Sequence, residues 1–475
     1  KTRVAFVGTA AVAKLRLEVD VEAEAALDGA SRICNWLYNE LLEVAGVLRA
    51  RYRMDPDTGI GRVLYTERGL RNLVPELKRL YPFLHTVHSS PLKNAALRVS
   101  DSIRRHQAAK HGRRKGQAVG WPRFRAWKGG WFSLLYDEPN KGFKLEGNQL
   151  TLSLGKGLDD KRRSVTVRAP NAAKALANKR VKSLRIVKQH GVFYAVFGVE
   201  RPVPAPKPIR RAIALDPNHK NLAVGVDTDG NAIEIEAPWW LKRLDRRVDE
   251  LKARRDRCVK RSVKVPILDR DGNPTGRHYW RPSKRWRRFH AAYQRAMAKR
   301  RDQTKTYLAT VAQRLCRHYD LVAIGDYTPR GGGCTAGMRR AMNNQSVIAR
   351  FKDALSWTAL KSGKVYTEFA EHGTTRTCAD CGQGVDGGIP PDVRAWTCPA
   401  CGQSHGRDEN AARNGLQRLL RERTEKGGDP PPVPGSGPVP IRGRWTWRVR
   451  PSGIQSRGGQ TGDAIRERQG MKRTA

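Results

Sequence analysis

The first hundred residues carry apolar side chains at helical spacing. Between residues 25 and 53 they recur mostly every three or four positions, and they are Leu27, Ile33, Leu37, Leu41, Val44 and Leu48. This period predicts a long amphipathic helix, and shorter helical patterns cover residues 73–80 and 92–107. A weakly alternating segment before them, residues 3–21, predicts one or two strands.

From residue 120 the pattern changes to short apolar segments separated by glycine and asparagine turns. Those of strand length are residues 131–136, 143–145, 150–154, 165–168, 181–187 and 192–199. Residues 188–191, Lys-Gln-His-Gly, are typical of a hairpin turn. The pattern predicts a small β-barrel or sandwich, and the N-terminal strands could complete it as one barrel with the helices inserted.

Buried strands and helices alternate in the second half of the chain. The predicted strands run into Asp216, through residues 222–226, through residues 320–326 and through residues 365–369. The predicted helices are residues 239–261 and 284–317, both strongly basic and joined by a loop at residues 269–274, and residues 345–361. The mixture predicts a multidomain α+β protein.

Composition narrows the class of partner. The 475 residues include 91 Lys+Arg against 45 Asp+Glu, a formal net charge of +46. This excess predicts a polyanion as partner. No apolar run of about 20 residues and no signal peptide is present, so a membrane is not expected. The basic residues extend along the whole chain, which favours a nucleic acid, and residues 425–475 predict a disordered basic tail.

Four cysteines form two pairs at metal-binding spacing. The pairs Cys378/Cys381 and Cys398/Cys401 are each Cys-x-x-Cys, with sixteen residues between the inner cysteines. Two such turns complete a closed tetrahedral site, which predicts structural Zn²⁺. The alternatives are a pair of disulfides or four unrelated thiols. The remaining cysteines, Cys34, Cys258, Cys316 and Cys334, are scattered and fit reduced thiols in the cytoplasm.

Two carboxylates stand at positions suited to a second metal. Asp216 closes an apolar strand, and Asp408 follows Cys401 by seven residues, at the start of a predicted helix. A carboxylate at the end of a buried strand is a good ligand for a hard cation. The alternative for Asp216 alone is a surface aspartate in a turn.

The motifs and their order resemble the RuvC-like nucleases of transposon-encoded TnpB and the type V CRISPR effectors. The resemblance rests on Leu-Asp216-Pro-Asn-His-Lys-Asn-Leu-Ala-Val, on Thr-Thr-x-x-Cys-x-x-Cys-Gly at residues 374–382, and on Asp408-x-Asn-Ala-Ala-x-Asn. It covers about residues 3–420 and is strongest after residue 211. The length and the insert near residues 240–300 favour a miniature type V effector, with the compact "n" subtype as a candidate.

One position departs from the pattern of this family. The resemblance implies a glutamate at the end of the fourth core strand, where this chain has Gly325 followed by Asp326. Some TnpB-like relatives share Gly-Asp there and carry a glutamate shortly before the segment with the two cysteine pairs, residues 378–401 in this chain, which we call the knuckle. In this chain that glutamate corresponds to Glu371. The expected catalytic set is therefore Asp216, Glu371 and Asp408, with Asp326, or no third carboxylate, as alternatives.

The resemblance also implies an activity. The implied protein is an RNA-guided DNA endonuclease of a prokaryotic cytoplasm. It binds a guide RNA and recognises a short flanking motif in double-stranded DNA. It hydrolyses DNA with two Mg²⁺ held by an RNase H-like core. Monomer and homodimer both remain open. The rival functions are an RNA-guided DNA binder that silences without cutting and a non-enzymatic zinc-ribbon RNA-binding protein.

The implied domain order places the nuclease core in the second half of the chain. The domains are a wedge barrel in two parts (1–22 and 120–205), a helical recognition domain (23–119), a RuvC core (206–371) with a basic helical insert (238–302), a zinc ribbon (372–405), a final RuvC helix (406–424) and the basic tail (425–475).

Overall fold

The chain consists of two compact units, Lys1–Pro202 and Val203–Ala475. The computed structural model describes residues 9–458 with gaps at 114–117, 127–129, 158, 203, 206, 220, 269–271, 328–345, 391–392, 426, 428–437 and 451–452. In the described segments, no helix combines the length and the apolar character of a membrane span.

A helical block follows the first strand of the N-terminal unit. Its elements are β1 (Thr9–Arg16), α1 (Val21–Met54), α2 (Thr58–Tyr65), α3 (Val74–Leu80) and α4 (Ser89–Lys110). Helix α1 begins after Asp20, whose side chain accepts from the backbone N–H of Ala23 at 2.7 Å as an N-cap. Leu27, Leu37 and Leu41 lie on its buried face, as the apolar period predicted.

The remaining elements of this unit form two sheets. They are β2 (Ser133–Tyr136), β3 (Phe143–Glu146), β4 (Gln149–Lys156), β5 (Arg162–Arg168), α5 (Ala172–Leu176), β6 (Val181–Gln189) and β7 (Val192–Arg201). One sheet has the order β1-β7-β6-β2 and the other β3-β4-β5. The β1–β7 ladder confirms that the N-terminal strand joins the strands after the helical block. The sequence left a barrel and a sandwich open. The described strands form these two sheets, and a bridge between Glu18 and Arg168 links the end of the first segment to β5.

The C-terminal unit is built on a larger sheet. Its elements are β8 (Ala212–Pro217), β9 (Ala223–Asp227), β10 (Asn231–Ile235), α6 (Trp239–Arg257), β11 (Val263–Leu268), β12 (Pro274–Arg281), α7 (Lys284–His318), β13 (Leu321–Gly325), α8 (Ile348–Ser362), β14 (Val365–Phe369), β15 (Ala395–Thr397), β16 (Ser404–Gly406), α9 (Arg407–Glu425), β17 (Gly443–Arg450) and β18 (Gly453–Gly458).

Seven of these strands form one sheet in the order β14-β13-β8-β9-β10-β17-β18. Strands β8, β13 and β14 are parallel to one another. Strand β9 is antiparallel to both of its neighbours, and β17 is parallel to β10. The carboxyl ends of β8, β13 and β14 therefore lie at one edge of the sheet.

Helices cover both faces of this sheet. On β8, Ile213 and Leu215 belong to the core cluster that contains α7 and α8 residues. Ala212 and Ala214 point the other way, into the cluster with α9. The approach of α9 is close at Gly415, where an added Cβ would lie 2.4 Å from the ring of Phe369. The small residues explain how a helix that begins at the knuckle can lie flat on the sheet.

The basic insert differs in part from the prediction. Helices α6 and α7 are present, and a buried ion pair joins Arg300 to Asp245 between them. Strands β11 and β12 form an antiparallel hairpin in the segment between the helices, where no strands were predicted. Of the loop predicted at residues 269–274, residues 272–273 lie between the two strands, and residues 269–271 lie outside the described residues. The prediction missed the hairpin because prolines and charged residues interrupt its apolar alternation.

The predicted disordered tail is wrong for residues 443–450 and 453–458. Strand β17 extends the sheet beside β10, and β18 pairs with β17. Trp445 and Trp447 are buried in the cluster that contains α7. The glycine-, proline- and arginine-rich composition suggested disorder, but the alternation Trp-x-Trp marks a strand with one buried face. Residues 459–475 lie outside the described part of the chain.

We expect Trp447→Ala to lower the free energy of unfolding of the C-terminal unit by about 3–5 kcal/mol, because a large buried side chain leaves a cavity. The indole is 2% exposed, and urea unfolding followed by circular dichroism measures the change. Trp357→Ala, at a tryptophan that is 39% exposed, is the matched control. Its expected cost is within about 1 kcal/mol, and equal losses in the two variants would contradict the packing of β17.

Candidate metal sites

The first candidate site lies at the edge where the parallel strands end. Asp216 is the penultimate residue of β8 and is 6% exposed. Glu371 follows β14 by two residues, and its carboxyl is hydrogen-bonded to that of Asp216. Burial is the main reason that the pKa of both carboxyls is raised, and the negative charge of Asp408 adds to the effect on Asp216. The structure thus brings together two residues that are 155 positions apart in sequence.

A glycine on the intervening strand makes room for Glu371. Strand β13 lies between β8 and β14 and ends at Gly325. A Cβ added at this glycine would lie 3.1 Å from both Cδ and Oε1 of Glu371, and 3.3 Å from Cδ of Pro217. The Glu371 carboxyl therefore occupies the space into which a side chain at position 325 would project.

Asp326 has a different role from Glu371. Its side chain is exposed, and its Oδ1 accepts from the backbone N–H of Glu371 at 3.0 Å. Its own backbone N–H donates to the carbonyl of Phe369 at 2.9 Å. These two bonds tie the turn after β14 to the end of β13, so Asp326 holds the backbone from which Glu371 projects.

Asp408 lies in the first turn of α9, beside the other two carboxylates. Its Oδ2 accepts from Nδ2 of Asn218 at 3.3 Å, and Nη1 of Arg394 lies 3.2 Å from the same atom. Nη1 of Arg407 is 3.9 Å from Oδ1. Within the described residues, the groups of three or more potential ligand atoms that all lie within 4.8 Å of one another are in the knuckle. The three carboxylates are therefore spread more widely than a closed metal cage.

The four knuckle cysteines have the geometry of a tetrahedral thiolate site. Their Sγ atoms all lie within 4.8 Å of one another, and the Cys378–Cys401 and Cys381–Cys398 separations are both 3.7 Å. A tetrahedron with Zn–S bonds of about 2.3 Å has edges of about 3.8 Å, so the residues fit zinc. A disulfide needs about 2.05 Å, so the alternative of two disulfides does not fit.

Backbone geometry supports both turns of the knuckle. Gly382 and Gly402, which follow the two pairs, have φ of 77° and 71°, in the left-handed region that favours glycine. Each donates its N–H to the carbonyl of the first cysteine of its pair at 2.9 Å. At Cys398 the N–H groups of Cys401 and Ala400 lower the pKa of the thiol to about 7, which favours the thiolate that a metal needs.

His405 is a potential ligand that the sequence reasoning missed. It is buried on β16, and its Nε2 lies 3.2 Å from Sγ of Cys378 and 3.6 Å from the carboxylate of Asp380. These three residues form a second group of potential ligands. The position of a histidine four residues after Cys401 was the available signal, but the two complete cysteine pairs already accounted for four ligands.

Two asparagines of α9 join the knuckle to the helix that carries Asp408. Nδ2 of Asn410 donates to the carbonyls of Thr374 and Thr377, at 3.3 and 2.8 Å, and its Oδ1 accepts from the N–H of Ala379. Nδ2 of Asn414, one helical turn later, donates to the same two carbonyls at 2.8 and 2.7 Å. The Asp-x-Asn-Ala-Ala-x-Asn motif is thus a carboxylate followed by a clamp on the metal-binding turn.

A cavity of about 380 Å³ opens beside Asp408. Arg394, Arg407 and Arg444 line it, together with Asp408 and Glu409. Arg444 from β17 forms a two-bond ion pair with Glu409, at 2.9 and 3.0 Å. The three guanidinium groups would attract an anion, and the acids beside them fix their positions.

Comparison with known proteins identifies similar sequences. A family model described as "Cas12f1-like, TNB domain" matches residues 349–415, from α8 to α9. A Streptomyces pristinaespiralis protein, provisionally named an RNA-guided DNA endonuclease, is 33% identical over 131 residues, which are 25% of this chain and 29% of the relative. The CRISPR-associated DNA-binding protein Cas12m of Allomeiothermus silvanus is 28% identical over 149 residues, 30% of this chain and 26% of the relative.

The chain therefore spans less than a third of the length of either relative. A solved complex of Cas12f1 with guide RNA and target DNA covers 86% of this chain and 98% of its own, at 10% identity and a TM-score of 0.46, which is too low to carry an argument. The family model and the two relatives confirm the resemblance to miniature type V effectors that the motifs predicted.

We expect the purified protein to contain about one zinc ion per chain, measured by atomic emission, because four thiolates close the site. Exchanging two of them, in Cys378→Ala/Cys398→Ala, should remove nearly all of the metal. Cys258→Ala/Cys316→Ala changes two buried thiols outside the knuckle and should leave it bound. Full zinc in the first variant would contradict the tetrathiolate site.

Proposed function

We propose that this relative of the miniature type V effectors is an RNA-guided endonuclease that cleaves DNA at the Asp216–Glu371–Asp408 edge. The single observation that carries the proposal is the contact between Glu371 and Asp216 in the space beside Gly325. Buried acidic pairs are costly, and they are kept where function needs them. A pair at the ends of parallel strands, beside a metal-binding knuckle, is well suited to hold a hard cation.

The sheet supports an RNase H-like core of the RuvC type. Strands β10, β9, β8, β13 and β14 are adjacent in that order, and only β9 is antiparallel to the others. Helix α7 comes between β10 and β13 in sequence and packs on one face, while α9 packs on the opposite face. In the family that the motifs resemble, this arrangement brings carboxylates from the first and fourth strands and the last helix to one edge.

We infer that Glu371 supplies the carboxylate expected from the fourth strand. Gly325 occupies that position and has no side chain, and the Glu371 carboxyl lies 3.1 Å from where its Cβ would be. The carboxylate that β13 lacks would thus come from Glu371, directly after the neighbouring strand β14. Asp326 is the weaker candidate, because its carboxylate is exposed and bonded to the backbone of Glu371.

The three carboxylates would hold Mg²⁺, which prefers oxygen ligands. Bound there, two such ions supply an activated water and stabilise the leaving oxygen of a phosphodiester. The chain's own residues fix the geometry. Asn218 donates to Asp408, and Asp326 holds the turn of Glu371. Arg394, which pairs with Asp408, is half exposed and would be available to bind a phosphate of the DNA.

The net charge and the sequence similarity to RNA-guided proteins support a guide RNA and target DNA as partners. The net charge of +46 suits a guide RNA together with a DNA target. In RNA-guided proteins base pairing selects the target, while the protein reads only a short flanking motif in the duplex. We assign that reading to the N-terminal unit, as wedge (1–22, 120–205) and recognition (23–119) domains. The nuclease parts are the RuvC core (206–371), its insert (238–302), the zinc ribbon (372–405) and the last helix (406–424).

A second function is favoured by a specific observation. The ion pair between Arg394 and Asp408 and the wide spacing of the three carboxylates also suit a protein that binds target DNA without cutting it. One relative is named a DNA-binding protein. The protein with its co-purified RNA, offered a matching duplex and Mg²⁺, separates the two functions. Cleaved product supports the nuclease, whereas binding without product supports the silencing protein.

The carboxylates make a direct prediction about cleavage rates. Asp216→Asn, Glu371→Gln and Asp408→Asn should each lower the rate on a matched duplex by about a thousandfold, or about 4 kcal/mol, because each removes a metal ligand. Asp326→Asn is the matched control and should stay within about tenfold, since its amide oxygen still accepts from the Glu371 N–H. A Glu371→Gln enzyme at full rate would overturn the assignment.

The origin of the third carboxylate makes a second prediction. Gly325→Glu alone should impair cleavage, because its side chain would displace Glu371. In Gly325→Glu/Glu371→Ala the new carboxylate has room, and the rate should recover by about tenfold over Glu371→Ala alone, about 1.4 kcal/mol of restored stabilisation. Single-turnover cleavage of the matched duplex measures it. An inactive double variant with normal DNA binding would argue against a shared position.

A further inference from the structure

The hairpin between the two basic helices exposes large aromatic side chains. Strands β11 and β12 pair from Val263–Arg281 to Leu268–Pro274 and join the ends of α6 and α7. Tyr279 is 50% exposed and Trp280 57% exposed. Neither side chain is needed for the candidate metal sites, which are formed by other strands of the unit.

The register places the two rings on opposite faces of the hairpin. Trp280 pairs with Lys264, and Tyr279 pairs with Val265. Successive residues of a strand point to opposite faces, while directly paired residues share one. The face of Trp280 therefore carries Lys264, and the face of Tyr279 carries Arg281, which pairs with Val263. Each face presents an aromatic ring beside an exposed basic side chain.

Such a hairpin gains little from its own packing. A two-stranded ribbon is marginally stable in water, and tryptophan and tyrosine side chains that stay half exposed stabilise it less than buried ones would. A partner that covers the rings would remove this cost. The hairpin therefore has the properties of a recognition element rather than of a structural one.

The charge around the rings selects the class of partner. The residues that flank the hairpin on its helices are exposed and basic: Arg254, Arg257, Lys260, Arg261, Lys284, Arg285, Arg287 and Arg288. An apolar protein partner would have to accept this charge unpaired. A nucleic acid satisfies both features, since phosphates pair with the basic groups and base faces stack on the rings.

We propose that the β11–β12 hairpin binds unpaired bases of the guide RNA by stacking them on Trp280 and Tyr279. The proposal rests on the RNA-guided function above and names a contact within it. Stacking needs a base face that is free on at least one side, and bases inside a duplex are covered by their neighbours. Before a target is opened, double-stranded DNA offers no such base, whereas a guide RNA does.

The test compares single-stranded and double-stranded RNA. The probes are an unstructured RNA of CA repeats, about 20 nucleotides long, a single-stranded DNA of the same sequence, and a blunt RNA duplex of the same length. Binding is measured without added Mg²⁺ at roughly 0.5 M salt, where phosphate contacts are weakened. Tyr279→Ala/Trp280→Ala should weaken binding of the single strand by about tenfold and leave the duplex within about twofold, because stacking is lost while charge is kept.

Matched variants separate stacking from other effects. Trp357→Ala removes an exposed tryptophan elsewhere in the same unit and should change neither affinity. Lys264→Ala/Arg281→Ala should weaken both probes and lower the salt dependence, because it removes charge. Tyr279→Leu/Trp280→Leu keeps an apolar surface without an aromatic face, and it should match the alanine variant if stacking is the cause.

Two outcomes would overturn the proposal. One is an equal effect of the hairpin variants on both probes, or no effect on either. The other is an effect confined to the corresponding single-stranded DNA, which would assign the hairpin to a displaced DNA strand. The binding assay needs neither Mg²⁺ nor cleavage. A negative binding result therefore leaves the carboxylate assignment intact. Conversely, the binding result can still be interpreted if the protein proves not to cleave DNA.

Discussion

A carboxylate that fills the space beside a glycine is the contact on which the candidate active site depends. Strands β8, β13 and β14 are adjacent and parallel, so their ends would ordinarily each offer a side chain to the same edge. Here the middle strand ends in Gly325, and Glu371 reaches across it to Asp216. A side chain at position 325 would require the Glu371 carboxyl to shift from its present place. The absence of a side chain on one strand is therefore what allows the neighbouring strand to complete the pair.

The four-cysteine knuckle, which fits zinc, contributes to the same site through α9. Its first turn is bound by Asn410 and Asn414, and Arg413 of the same helix forms two bonds to Asp380, at 3.0 and 2.6 Å. The position of Asp408 at the head of this helix thus depends on the fold of a segment that itself depends on metal. Structural and catalytic metals would be coupled through one helix, although their ligands are different.

Local pattern was enough to predict much of this architecture. The strand before Asp216, the helices of the insert and the cysteine pairs follow from spacing that is visible within a few residues. The Glu371–Gly325 relation was suggested by resemblance, and only the folded sheet shows that the carboxyl fits there. His405 was missed because the ligand count was already complete. The β11–β12 hairpin and strand β17 were missed because charge, glycine and proline dominate their composition. Strand β17 is in addition stabilised by β10, which is distant in sequence.

The pairing of β17 with β10 has a consequence for how the chain is made. The ion pair between Glu236 and Arg448 joins residues 212 positions apart, next to this ladder. Contacts of such separation form slowly. During synthesis, β10 emerges from the ribosome long before β17 has been made. Until then the edge of β10 that later pairs with β17 has no partner strand. The nascent protein must therefore keep this edge from pairing with other chains until its last strand arrives.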